Sequence, residues 1–152
     1  MPNKNGYQPT KKITTTPPHC GSSVNTAGAG RRKPIQHEAN EQEALFRWAA
    51  FARGRFPELE LLYHNPNGGS RNKLEAANLK RQGVKAGVPD LCLPVARGGY
   101  HGLYIEMKYG KNKTSEKQNE WLLALQRQGH VVRVCYGWEQ AAEVITKYLE
   151  VR

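Results

Sequence analysis

The stretch from Gly87 to Lys108 constrains this chain more than any other. Two short apolar runs, Val88-Pro89-Asp90-Leu91-Cys92-Leu93 and Leu103-Tyr104-Ile105-Glu106-Met107-Lys108, flank the Gly-rich break Arg97-Gly98-Gly99-Tyr100-His101-Gly102. Apolar runs on either side of such a break read as two strands and a hairpin loop. In the second run Leu103, Ile105 and Met107 alternate with Tyr104, Glu106 and Lys108. Side chains alternate across a strand, so Glu106 and Lys108 share a face, roughly 7 Å apart along it. A hairpin centred near Gly98 sets Asp90 opposite Glu106, because both are equally distant from the turn. Cross-strand neighbours on one face lie about 5 Å apart at Cβ.

Two carboxylates and an amine then converge. Carboxylates that close repel each other unless a cation lies between them. A hard divalent cation such as Mg²⁺ takes oxygen ligands and keeps several waters. Lys108, beside the pair, can orient a bound water or help deprotonate it. An Asp followed by Glu-x-Lys is by itself a common pattern, and a solvated hairpin with a surface Glu-Lys pair would also produce it. The rest of the chain has to decide.

A length of 152 residues allows one domain and little more. Hydrophobic residues make up 38% and charged residues 24%, ordinary for a soluble globular protein. The net charge of +10 is not ordinary. It points to an acidic partner, nucleic acid first. No apolar run approaches a membrane span, and no secretory h-region is visible at the N-terminus. The cysteines, Cys20, Cys92 and Cys135, lack zinc-like spacing. Cys92 and Cys135 fall within apolar runs as small buried thiols, which fits a reducing cytoplasm.

Residues 1–36 have almost no large apolar side chains and are expected to form a disordered tail. Lys4, Lys11, Lys12, Arg31, Arg32 and Lys33 lie there with no acidic residue. The tail is therefore either a solubilising segment or an arm that binds phosphates without sequence preference.

From Glu38 the residues Glu38, Glu41, Leu45, Trp48, Ala49 and Ala52 form a stripe at helical spacing, ending near Gly54. Acids near a helix N-terminus are common. Either Glu38 or Glu41 could also reach the Asp90/Glu106 pair as a further metal ligand, directly or through water. Leu59-Glu60-Leu61-Leu62-Tyr63-His64 reads as a strand, followed by the polar turn Asn65-Pro66-Asn67-Gly68-Gly69-Ser70-Arg71. Such a turn is either plain surface or a place where Asn67 and Arg71 meet phosphates. Residues 73–82 suggest a short helix that includes Lys80, and the Gly83–Gly87 segment carries Lys85 to Pro89-Asp90.

Past Lys108 comes a basic turn with Lys111 and Lys113, then a helix that Thr114 or Ser115 can cap, with Gln118 at the capping-box position. Gln118 is read either as that cap or as a group orienting Lys108 or a phosphate. Gly129 stops the helix. Val131-Val132-Arg133-Val134-Cys135-Tyr136 reads as a buried strand, and residues 138–148 as a final amphipathic helix with Ala141, Ala142, Val144, Ile145 and Tyr148 inward. Helix, strand, helix, hairpin, helix, strand, helix argues an α/β sandwich around a mixed sheet of about four strands.

Taken in order, these features resemble the VRR-NUC branch of the PD-(D/E)xK nucleases. The match runs through Glu38 and Glu41-Gln42, Asn65-Pro66-Asn67-Gly68-Gly69, Lys80 with Gly83-Val84-Lys85-Ala86-Gly87-Val88-Pro89-Asp90-Leu91, Ile105-Glu106-Met107-Lys108, Ser115 with Gln118, and Gly129-His130-Val131-Val132 with Gly137-Trp138-Glu139-Gln140-Ala141. It covers residues 37–150 and leaves the basic tail outside. The resemblance implies a restriction-endonuclease-like three-layer sandwich, Mg²⁺ or Mn²⁺ as cofactor, and phosphodiester hydrolysis on structured DNA. It further implies a homodimer that cuts four-way junctions; the alternatives are a nicking or flap-cutting monomer and a non-catalytic DNA-binding module. The residues it implies are Asp90, Glu106, Lys108 and Gln118 in catalysis, and Asp90, Glu106, Glu38 and Glu41 on the metal. DNA contacts fall to Asn67, Arg71, Lys80, Lys85, Lys111 and Lys113.

Overall fold

The structure, a computed structural model, describes residues 34–66 and 73–152. Residues 1–33 of the expected tail, Cys20, Asn67 and Arg71 lie outside them, and residues 34–36, expected as tail, belong instead to the first helix.

The first helix, α1 (Pro34–Ala52), starts one turn earlier than its apolar stripe suggests. Proline at a helix start costs no hydrogen bond, because the first N–H groups have no intrahelical acceptor. Leu45 and Ala49 are fully buried from α1, with Phe46, Trp48 and Ala52 packed around them. The segment expected as a strand from Leu59 differs: Pro57–Leu61 is a 3-10 helix. Leu59 and Leu62 donate back to Phe56 and Leu59 at 3.1 Å, and these two leucines, three apart, are the buried ones. Three-residue spacing suits a 3-10 turn and defeats a strand, whose period is two. Only Tyr63–His64 (β1) pairs as strand.

After α2 (Lys73–Arg81) come β2 (Leu91–Leu93), β3 (Leu103–Lys108), α3 (Glu116–Arg127), β4 (Val131–Tyr136) and α4 (Trp138–Glu150). They form a mixed four-stranded sheet in the order β1-β2-β3-β4. The first two pairings are antiparallel and β3 runs parallel to β4. A parallel neighbour needs a crossover, which α3 supplies. Leu91 pairs with Ile105 and Leu93 with Leu103, the register of a hairpin centred on Gly98. At the tip Gly98 and Gly99 take φ of +55° and +81°, which a primed two-residue turn requires.

The core lies on one face of the sheet. Leu91, Leu93, Leu103, Ile105, Met107 and Cys135 meet Leu45 and Ala49 of α1 and Ala141, Ile145, Tyr148 and Leu149 of α4. The pleat sends Glu106 and Lys108 to the opposite face, beneath α3. Strand β4 is less enclosed than its apolar sequence suggests: Cys135 is its one fully buried residue, because β4 is an edge of the sheet. No helix among the described residues is long and apolar enough to cross a membrane.

Candidate active site

Strand β3 carries both charged groups that the described fold buries, Glu106 and Lys108. Their positions two apart on one face put Lys108 Nζ 2.6 Å from Glu106 Oε1. Asp90 sits one residue before β2, where the ladder register continues to Glu106. Its Oδ2 accepts the backbone N–H of Met107 at 2.8 Å, which fixes it against β3. Asn65 holds the other side: its backbone N–H donates to the Asp90 carbonyl at 2.7 Å and its side chain to the Pro89 carbonyl at 2.9 Å.

Gln118 is the expected cap and also reaches the site, on Glu106 rather than on the expected Lys108 or a phosphate. Its Oε1 accepts the Ser115 N–H at 2.8 Å, and its own N–H donates to Ser115 Oγ, closing a capping box. Its Nε2 donates to Glu106 Oε1. Its side-chain amide thus holds the same carboxylate oxygen that Lys108 holds. With Lys108 and Gln118 both on Oε1, Glu106 Oε2 is buried with no hydrogen-bond partner.

The electrostatics follow from this crowding. Burial pushes the Glu106 carboxyl up to about 7, and Asp90 pushes the same way against the pull of Lys108. Burial raises Asp90 as well; Met107 N–H, Lys108 and His64 oppose it, and Glu38 adds to the rise. His64 is lowered by burial, against the attraction of Asp90. An acid pair that resists ionising together, with one buried oxygen unsatisfied, fits a small divalent cation held by one or two carboxylates and waters.

The two first-helix glutamates separate. Glu41 Oε2 accepts the Trp138 backbone N–H at 2.9 Å and so serves the start of α4. Glu38 accepts from Asn112 Nδ2 at 3.0 Å, and its charge reaches Asp90. Among the described residues, no three His, Cys, Asp or Glu side chains lie close enough together to hold a metal ion. Glu38 therefore stands outside the Asp90/Glu106 pair. Lys80, Lys85, Lys111 and Lys113 are exposed. Asn65, His64 and Asn112 are contributors that sequence reasoning did not single out. The Asn-Pro turn marks Asn65 as a loop residue, but no local signal gives its partners across the chain.

The VRR-NUC domain family matches residues 32–139. A solved structure described as a VRR_NUC domain protein is similar to this chain at 35% identity, with a TM-score of 0.64, covering 75% of this chain and 88% of that one. No curated protein matches. With that match, the mixed sheet and its helices, the chain belongs to the VRR-NUC family and is a nuclease-type domain that acts on DNA.

Proposed function

We propose that this protein is a Mg²⁺- or Mn²⁺-dependent endonuclease that hydrolyses phosphodiester bonds in branched DNA, four-way junctions among them. The observation that carries the reading is the cluster of half-buried Asp90 with buried Glu106 and Lys108, with Glu106 Oε2 left unsatisfied. A DNA-binding module without chemistry gains nothing from two acids set where a phosphate must approach.

Asp90 and Glu106 would hold the cation, and Glu38 would reach it through water. The bound ion would supply Lewis-acid polarisation of the phosphate and a more acidic water. The chain's own groups do the rest. Met107 N–H and Asn65 keep Asp90 in place, and Gln118 keeps Glu106 turned. Lys108 presents its ammonium to an attacking water and to the charge that develops on the phosphate oxygens. Exposed Lys80, Lys85, Lys111 and Lys113, with Asn67 and Arg71, would position the backbone. Symmetric cuts of a four-way junction call for a two-fold assembly, so the working form is a homodimer. Free, buried Cys92 and Cys135 suit a reducing cytoplasm.

The test is incubation of the purified protein with Mg²⁺ or Mn²⁺ on matched duplex, flap and four-way-junction DNA. Metal-dependent cutting with preference for the junction is expected. Cutting that persists in excess chelator would sink the metal reading. Flap cutting by a monomer would replace the junction reading.

A further inference from the structure

Opposite the core, α2 and α3 flank a groove. Its walls are Leu79 and Lys80 of α2, Val84 and Lys85 of the following loop, and Lys117 and Trp121 of α3, around about 780 Å³. An adjoining hollow of about 450 Å³ shares Leu79, Val84, Lys85 and Trp121 and continues to Asn65, Pro66 and Val88. Among the described residues neither helix buries a single side chain fully. Leu74 is 73% exposed and Val84 39%. This layer is open where the α1/α4 layer is packed.

The groove runs into the active site by two routes. Lys117 lines it, and the next residue, Gln118, donates to Glu106. Val88 and Asn65 line its far end beside Pro89-Asp90, and Asn65 donates to the Pro89 carbonyl. Beside the groove, Gly87 fixes the loop: a Cβ there would sit 2.8 Å from the Lys117 backbone carbonyl, so the loop is pressed onto the first turn of α3.

Its chemistry is mixed in a particular way. Three ammonium groups, Lys80, Lys85 and Lys117, face one acid, Glu120, around an indole and aliphatic side chains. Among the described residues none of the three is ion-paired. Duplex DNA offers phosphates to such a groove but keeps its base faces stacked on each other. An unpaired strand offers both, and a basic groove with an aromatic platform is how single strands are held.

We infer that the α2/α3 groove binds the unpaired strand of a branched DNA, with a base stacked on Trp121 and phosphates on Lys80, Lys85 and Lys117, and delivers that strand to Asp90 and Glu106. This rests on the nuclease reading and adds the strand it selects: on a flap the flap itself, and at a four-way junction, whose arms are paired, a strand opened at the branch point. The groove excludes an intact duplex arm from the indole, so discrimination comes from whether a base is free to leave its stack.

The experiment measures binding in chelator, where no cutting occurs, by anisotropy of a labelled oligothymidylate of about 10 nucleotides, within the site sizes known for single-strand grooves. Matched duplex and an abasic strand of equal length are run alongside. Wild type should bind the oligothymidylate at least about fivefold more tightly than the abasic strand, the low end of one base stacked on an aromatic ring. Trp121→Ala should erase that difference and Trp121→Phe should restore most of it, while duplex binding holds. Lys117→Gln, at an exposed position, tests the groove even if Trp121→Ala fails to fold. It should flatten the salt dependence of single-strand binding by about 0.7 in slope. Equal binding of the abasic strand, or of polyglutamate in competition, would overturn the inference in favour of plain attraction between charges. So would Trp121 and Lys117 variants that bind like wild type. Failure of wild type to cut any DNA with Mg²⁺ or Mn²⁺ would instead defeat the nuclease reading and leave these binding results standing.

Discussion

Glu41 Oε2 accepts the backbone N–H of Trp138 at 2.9 Å, across 97 positions of sequence. Trp138 opens α4, and the N-cap residue, Gly137, has no side chain to cap the helix. A carboxylate from α1 therefore satisfies the start of α4 and meets the positive end of its dipole. Glu41→Ala should lower stability by about 0.5–2 kcal/mol, the usual worth of a lost cap, without changing the metal requirement. Glu38→Ala should do the reverse: stability within about 0.5 kcal/mol of wild type, and cutting that needs more Mg²⁺. Urea unfolding and metal titration of cleavage check both. A Glu41→Ala enzyme with a raised metal requirement would exchange the two assignments.

Glu106→Gln should abolish cutting while DNA binding persists, because it removes a ligand and a repulsive charge together. Near-normal cleavage at millimolar Mg²⁺ would remove Glu106 from the site.

Gln118 allows a cleaner separation of cap from chemistry. Gln118→Glu keeps a capping-box side chain but sets a third carboxylate against Glu106. It should fold with its cap intact, be less stable in metal-free protein because two carboxylates then meet, and lose about 10–100-fold in metal affinity or activity, the scale for an outer-partner loss. Gln118→Ala should lose stability as well. A Gln118→Glu variant that cuts normally would leave the residue as a cap alone.

Glu106 titrates near 7 rather than 4.5, raised by burial first, and Asp90 is raised by burial too. The native state thus keeps protons that the unfolded chain has released. Such groups stabilise most below their ordinary range, and that contribution is lost as pH rises through the folded value. In metal-free protein, wild type should lose stability relative to Glu106→Gln as pH climbs from 4.5 to about 7, by at most about 1.4 kcal/mol per pH unit for one proton. Cutting should rise over the same interval, since protons compete with the cation. Denaturation curves that stay parallel across this range would contradict the assignment.

Gly87 has φ of +88° and no room for a Cβ against the backbone of Lys117. Gly87→Ala should cost at least about 1 kcal/mol, from a strained backbone and the clash. It should also widen the gap between the 83–87 loop and α3. A thermal melt equal to wild type would show that the loop can move away freely.

Much of the site was legible because it is local. Asp90, Glu106 and Lys108 belong to one hairpin, and the equal spacing of Asp90 and Glu106 about Gly98 is the register found between β2 and β3. The capping box at Ser115 and Gln118 is equally local. The misreadings share the opposite property. Leu59 and Leu62 look like strand residues until Pro57 and the core beneath them select a 3-10 turn. Val131–Tyr136 is apolar enough for a central strand, yet sheet order makes it an edge. Glu38 and Glu41 could not be told apart because their partners, Asn112 and Trp138, lie far along the chain.

The same locality sets an order of events in time. Asp90 and Glu106 lie on strands of one hairpin, whereas β4 pairs with β3 only after α3 has crossed between them. Hairpins close in about 1–10 μs, and parallel pairing across a crossover carries the greater loop-closure entropy. The two acids are therefore expected to come together on a half-made sheet, before α3 brings Gln118 to Glu106. Closing the hairpin sets two carboxylates side by side, and mild acidity is expected to ease that step by neutralising one of them.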